Sequence, residues 1–205
     1  MKRLILIVMV GLWLPAVAFG VTIVVSPDGP LTIQGAIDLA EPGDVVELLD
    51  GVYTGTGNRD LTFSGKAITV RSQSEDPTAC IIDCQGSDSE HHRGFLFDQG
   101  EGNDSLLHGI TIRNGNAPWS GGIYCLDGFP TIRKCVFLNN VGSEGAAICT
   151  QGDCQISDCY FADNHSQFNG GAISACCMYG YPGPTVLRCT FVNNSATDYG
   201  GGFRT

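Results

Sequence analysis

The chain has 205 residues, enough for one domain with a real core, and carries 11 basic against 21 acidic residues, a formal net charge of −10. An acidic balance of that size argues against a nucleic acid or an anionic lipid surface as a partner held by bulk charge. Ten cysteines sit more easily outside a reducing cytosol than within it, and 28 glycines require frequent turns.

Residues 1–18 read as an export signal: Lys2 and Arg3, an apolar run over 4–14, a break at Pro15, then Ala16, Val17 and Ala18, with cleavage expected after Ala18. The competing reading is a retained membrane helix, because uncharged apolar sequence continues to Val25. Pro15 and Gly20 interrupt that run, and "VTIVV" at 21–25 is β-branched in the manner of a strand. Cleavage removes Lys2 and Arg3 and leaves nine basic against 21 acidic residues, a net charge of about −12. The mature segment, 19–205, is expected to be exported and not inserted in a bilayer.

In "TIQGAIDLAEPGD" (32–44), Ile33, Ala36, Ile37 and Ala40 follow helical spacing, Thr32 is placed to cap the N-terminus, and Pro42-Gly43 stops the run. The spacing predicts a short helix over 32–41 that covers the open end of whatever follows. "DVVELLDGVY" (44–53), "KAITVRS" (66–72), "CIID" (80–83), "GFLF" (94–97) and "GITIRNG" (109–115) then read as short strands.

From 120 to 205 the chain repeats. "PTIRKCVFLNN" (130–140) returns as "CQISDCYFADN" (154–164) and "PTVLRCTFVNN" (184–194), which aligns Ile132, Ile156 and Val186, then Cys135, Cys159 and Cys189, then Phe137, Phe161 and Phe191. The polar ends align as Asn139, Asp163 and Asn193, followed by Asn140, Asn164 and Asn194. A glycine-rich landmark precedes each copy, "SGGI" at 120, "GAAI" at 145, "GGAI" at 170 and "GGGF" at 200, at intervals of 25, 25 and 30 residues. A period in the twenties signals a solenoid, and cysteine and phenylalanine two apart signal strands rather than helices. Each coil is therefore a loop of short strands that pair in parallel with the next coil about 4.8 Å away, so equal positions stack. An Asn at a sharp corner tolerates left-handed backbone and passes hydrogen bonds to the Asn or Asp above it. Six or seven coils fit in roughly 30 Å. The five extra residues of the last interval fall in "CCMYGYPGP" (176–184), read as a loop pushed outward. At the other end no capping device is expected among residues 200–205, which read as the start of a new coil.

"GGAI" and its relatives, each followed by Phe-x-x-Asn at Phe137 to Asn140, Phe161 to Asn164 and Phe191 to Asn194, resemble the repeat pair of polymorphic outer membrane proteins. Those are right-handed parallel β-helices of the pectin-lyase-like superfamily. The opening at 32–55 is similar to the start of many secreted bacterial proteins with that fold, so the resemblance spans nearly all of the chain after the leader. It implies an all-β, right-handed parallel β-helix at the cell outer membrane or outside the cell. It also implies a C-terminal barrel, which these residues do not contain, so further coils or a barrel are expected beyond residue 205. For role the resemblance offers lyases, hydrolases, adhesins and passengers.

A lyase of this kind needs carboxylates gathered on the outer face to hold calcium, and a hydrolase needs two or three acids flanking one glycosidic bond. The outward positions are read as Tyr124, Cys149, Ser174 and Arg204 in one strand, and Val136, Tyr160 and Thr190, then Leu138, Ala162 and Val192, in another, none of them acidic. The densest acids are Asp83, Asp88, Glu90, Asp98, Glu101 and Asp104 near His91 and His92, read as solvated turns. Adjacent histidines on extended chain point opposite ways, which argues against a zinc pair. The stacked cysteines read as small free hydrophobes, with Cys80 and Cys84, or Cys149 and Cys154, as disulfide candidates across turns and Cys176-Cys177 as a disulfide or reactive pair. The expected protein is a non-catalytic scaffold for adhesion or binding, or a passenger, needing no cofactor, with a glycan or a cell-surface protein as partner through Tyr124, Tyr160, Tyr179 and Tyr181. The alternative is a polysaccharide-active enzyme, pectate lyase-like or a glycoside hydrolase, using calcium around Asp83 to Asp104. Its substrate would be an acidic or plant-type glycan, although a polyuronate would be repelled by the acidic chain unless cations bridged the two.

Overall fold

The computed structural model describes residues 20–175 and 182–204. The leader with its cleavage point at Ala18, and Cys176, Cys177, Tyr179 and Tyr181, lie outside the described residues.

The chain winds as a parallel β-helix. A first sheet stacks Thr22–Val25, Val45–Leu48, Thr69–Ser72, Leu106–His108, Thr131–Arg133, Gln155–Ser157 and Thr185–Leu187 in that order. The second stacks Gly51–Tyr53, Cys80–Asp83, Thr111–Arg113, Val136–Leu138, Tyr160–Ala162 and Thr190–Val192. The third stacks Leu61–Thr62, Phe95–Phe97, Ile123–Cys125, Ile148–Thr150, Ile173–Ala175 and Phe203–Arg204. A short fourth sheet, Val141–Glu144, His165–Asn169 and Ser195–Ala196, lies along the chain between the second and third in the later coils. Every pairing between these strands is parallel, with Ile132 beside Ile156 and Val186, and Phe137 beside Phe161 and Phe191.

Parallel register puts each inward side chain above its own counterpart, and the ring geometry shows the consequence. Phe137 and Phe161, and Phe161 and Phe191, stack with centroids 5.0 Å apart and planes 5° and 8° from parallel. That spacing is the distance between paired strands, so the backbone sets the ring arrangement. Phe63, one residue beyond the pairing of Leu61 with Phe95 and Thr62 with Leu96, meets both phenylalanines edge-on, at 80° and 66°.

The two polar columns divide the corner's work. Asn139, Asp163 and Asn193 take left-handed backbone, φ 53°, 56° and 52°, where a short polar side chain is tolerated. Asn140, Asn164 and Asn194 form the ladder. Asn164 Nδ2 donates to Phe137 O at 3.1 Å and to Asn194 Oδ1 at 2.8 Å, while Asn164 Oδ1 accepts from the N–H and Nδ2 of Asn140, both at 3.0 Å. Asn140 and Asn164 are fully buried with these groups satisfied, the condition under which a buried amide stabilises a fold. A second left-handed corner, between the first and second sheets, falls on Gly109, Lys134, Asp158 and Arg188, φ 68°, 51°, 56° and 51°. No sequence signal marked it, because Lys and Arg are not corner residues by propensity.

The helix spans Ile33–Leu39, with the Thr32 hydroxyl accepting from the Gly35 N–H at 3.1 Å. Ile33, Ala36 and Ile37 are buried against the first coils. Lys66 Nζ donates to Ile37 O and Asp38 O, both at 2.9 Å, so a later coil satisfies carbonyls at the helix end.

Cys80, Cys84 and Cys154 are free thiols, which corrects both disulfide expectations. Cys80 and Cys84 lie four residues apart on near-extended chain, roughly 13 Å, beyond the reach of a disulfide. Cys149 alternates with Ile148 and Thr150 and points outward, whereas Cys154 lies in the interior with its Sγ 3.2 Å from Thr150 Oγ1.

Candidate binding groove on the third sheet

The first sheet's outer face and the corner that follows it are occupied by their own ion pairs. Arg71 Nη2 lies 2.7 Å from Glu47 Oε2 on the neighbouring strand, Lys134 Nζ lies 3.0 Å from Glu75 Oε2, and Arg188 Nε lies 2.6 Å from Asp158 Oδ1. Lys134 beside Glu75 and Arg188 beside Asp158 hold both carboxyls below the usual carboxylate range. The charges on this face therefore meet one another.

The third sheet's outer face is different. Register aligns Thr62, Leu96, Tyr124, Cys149, Ser174 and Arg204 on it. Tyr124, Cys149 and Ser174, expected at the surface, are 7%, 0% and 0% exposed. Alternation does send them outward, but the segments flanking these strands fold back over them. Glu144 lies across Ser174, accepting from Asn169 Nδ2 at 3.0 Å and from Ser174 Oγ at 3.3 Å, and Gln151 Nε2 reaches Tyr124 Oη at 3.4 Å. Ala162, read as outward on the second sheet, is also buried, while Tyr160 on that sheet is exposed.

Where this cover is incomplete, a groove of about 330 Å³ opens, lined by Asp60, Arg93, Leu96, Asp98, Tyr124 and Leu126. Asp60 enters from the preceding coil on left-handed backbone, φ 55°. It accepts from the Arg93 N–H at 2.9 Å and pairs with His92 Nδ1 at 2.6 Å. Arg93 lays its guanidinium 5.4 Å from the Tyr124 ring centroid and donates from Nη2 to Pro118 O at 3.1 Å. Burial lowers its pKa, and the Asp60 carboxylate and Tyr124 oppose that shift. Asp98 Oδ1 is buried and, among the described residues, accepts no hydrogen bond.

Trp119 stands beside Tyr124, rings parallel within 9° and centroids 5.9 Å apart, and remains 46% exposed. Its φ of 69° is an outlier for a bulky side chain. The turn is held from both sides: the Trp119 N–H donates to Ser143 Oγ at 3.0 Å and Trp119 O accepts from the Glu144 N–H at 2.9 Å. A Cβ at Gly142 would lie 2.6 Å from Trp119 O, so only glycine permits that approach. Backbone strain of this kind costs on the order of 1–3 kcal/mol and persists only where the surroundings over-determine it. Pro118, which accepts from Arg93, lines a second hollow of about 250 Å³ with Ala117, His91, Asn116 and Ser143.

The expected acidic cluster is dispersed. Asp83 pairs with Arg113 Nε at 2.9 Å and accepts from Asn114 Nδ2 at 3.0 Å, and Asp88 accepts from Asn116 Nδ2 at 2.9 Å. Glu101 is 1% exposed and accepts the N–H groups of Gly65 and Gln99, each at 3.0 Å. Only Asp98 of that set faces the groove. Among the described residues, no three His, Cys, Asp or Glu side chains are placed to share a metal ion. His91 and His92 diverge, the first lining the second hollow and the second bonded to Asp60.

A family model for the right-handed β-helix region matches residues 50–204. The chain belongs to the right-handed β-helix family. Its coils wind right-handed, and the groove lies on the outside of that winding. No curated protein and no solved structure matches the chain. Sequence reasoning passed over Asp60, Arg93 and Trp119 because they lie off the repeat columns. One signal was present: the position just before each glycine landmark holds Trp119, Glu144, Asn169 and Tyr199, four chemistries beside a motif that barely changes.

Proposed function

We propose that this right-handed β-helix is an exported rod that binds a glycan at or near a cell surface through the outer face of its third sheet, as an adhesion or binding scaffold. One observation carries the reading: the groove sets the Tyr124 ring, Leu96 and Leu126 beside the polar side chains of Asp60, Arg93 and Asp98, and the exposed Trp119 stacks on that same Tyr124. Sugar rings have apolar C–H faces and rims of hydroxyls, and such a surface matches both. Export is supported by the leader pattern at 1–18 and the abundance of cysteine. The test is a glycan array probed with the purified chain. Retention on a coherent subset of glycans, weakened by Trp119→Gly, is the expected result, and uniform lack of retention contradicts it.

A second reading, a polysaccharide-active enzyme, has one observation in its favour: two carboxylates, Asp60 and Asp98, line the same groove. Release of reducing ends from a bound glycan, abolished by Asp98→Asn, would establish hydrolysis. Unsaturated product absorbing in the ultraviolet would establish a lyase.

A further inference from the structure

We infer that a second carbohydrate site lies beside the fourth sheet, in the hollow lined by His91, Asn116 and Gln167, and that it takes an uncharged, extended glycan chain laid along the rod axis. The inference rests on the glycan-binding reading and adds to it a site separate from the groove, with a stated ligand class.

The hollow originates in a break of the repeat. Gly142 pairs with Ser166 and Glu144 with Asn169, so Ser143 alone stands opposite two residues, Gln167 and Phe168. The next coil keeps the added residue, with Ser166 beside Ala196 and Asn169 beside Tyr199. The rung therefore lengthens once, at a β-bulge. The hollow of about 250 Å³ lies at that step, lined by Gly142 and Ser143 from the shorter rung and by Gln167 from the longer one. Bulges re-aim side chains and are over-represented beside functional sites.

The lining also runs along the axis. His92 pairs with Asn116, Asn116 with Val141, and Val141 with His165, so the segments carrying His91, Asn116, Ser143 and Gln167 are successive rungs spanning about 14 Å. They present an imidazole, two amides and a hydroxyl together with the apolar Ala117 and Pro118, and no carboxylate, Lys or Arg. A rung of about 4.8 Å is close to the length of one pyranose in an extended chain, so such a chain meets one hydrogen-bonding side chain per sugar. Asn116 Nδ2 is committed to Asp88, and Ser143 Oγ to the Trp119 N–H. The side chains of His91 and Gln167 are exposed and, among the described residues, carry no hydrogen bond, so they are the groups left for a ligand.

Other ligand classes fit less well. An anionic or cationic sugar would give up hydration with no opposite charge in the lining to replace it, and an anion also approaches against a formal net charge of −10. A peptide adding as a strand needs open backbone, which here is already paired from His92 through Asn116 and Val141 to His165.

The test is calorimetry on the full chain with cellohexaose, xylohexaose and mannohexaose, and with hexagalacturonate as the anionic counterpart. At least one neutral hexasaccharide should show a binding component about five- to tenfold weaker in Gln167→Ala and in His91→Ala, and unchanged in Leu126→Asp, which alters the groove instead. Both alanine variants should melt with the parent, which separates lost binding from lost fold. The matching disaccharide, too short for the span, should bind at least about tenfold more weakly than the hexasaccharide. Neutral binding that survives intact in either alanine variant overturns the inference, as does equal or tighter binding of hexagalacturonate with the same dependence on Gln167. If none of the four binds while the array retains the chain on other glycans, the inference falls and the glycan-binding reading stands. If the array is blank as well, both fall.

Discussion

Inside the second sheet, Phe137, Phe161 and Phe191 place one side chain at one position coil after coil. On the outside of the third sheet, Leu96, Tyr124, Cys149 and Ser174 share a register just as strict and have no chemistry in common. Both sets obey the same parallel pairing, so pairing alone does not demand sameness. Sameness comes from a narrow interior, where the neighbour above each side chain is its own counterpart and no water fills a mismatch. Outside, each side chain packs against the flanking segments of its own coil, such as Glu144 over Ser174 and Gln151 by Tyr124, so the demand for sameness lapses.

Breaking an interior column should therefore cost far more than changing the wall beside it. Phe161→Asp puts an unpaired charge between two stacked rings and should cost more than about 4 kcal/mol, leaving no cooperative urea transition. Tyr160→Asp, one residue away and pointing outward, should stay within about 0.5 kcal/mol of the parent in the same titration.

The two asparagine columns sharpen the contrast. Asn164→Ala strands the Phe137 carbonyl and the Asn140 amide in the interior and should cost about 2–4 kcal/mol. Asn193→Ala, at a left-handed corner, should cost about 1 kcal/mol, read from the shift in denaturation midpoint. Lys134→Gly should stabilise by up to about 0.5 kcal/mol, because Gly109 holds the same corner one coil earlier and the ion pair to Glu75 is exposed.

The smallest effect is chemical. Hydrogen bonding from the Cys159 thiol brings half-buried Cys189 down to about 7, whereas burial pushes Cys80 up to about 12. Alkylation by iodoacetamide at Cys189 should rise across pH 7 and level off about one unit above it, as the thiolate becomes the main form. Cys80 should remain unmodified over that range.

The parallel β-helix was legible because its interior is periodic: cysteine and phenylalanine two apart gave the strand, and the 25-residue interval gave the coil. Helical spacing at Ile33, Ala36 and Ile37 marked the capping helix in the same way. The groove was not legible, for a physical reason. Asp60, Arg93 and Asp98, which line it, and Trp119, which stacks on its Tyr124, come from three successive turns with no common period, and they come together only once the coils are stacked. Alternation correctly sent Tyr124, Cys149 and Ser174 outward, but outward was not the same as exposed, because Glu144 and Gln151 lie across them.

The separation between columns that hold the fold and a face that is free to bind is tested most directly by amide hydrogen exchange, read by mass spectrometry on the parent and on Trp119→Gly. Equally slow exchange at residues 135–140 and 159–164 in both proteins is predicted, with any change confined to 92–98 and 117–126. Faster exchange throughout the interior strands of Trp119→Gly would contradict it.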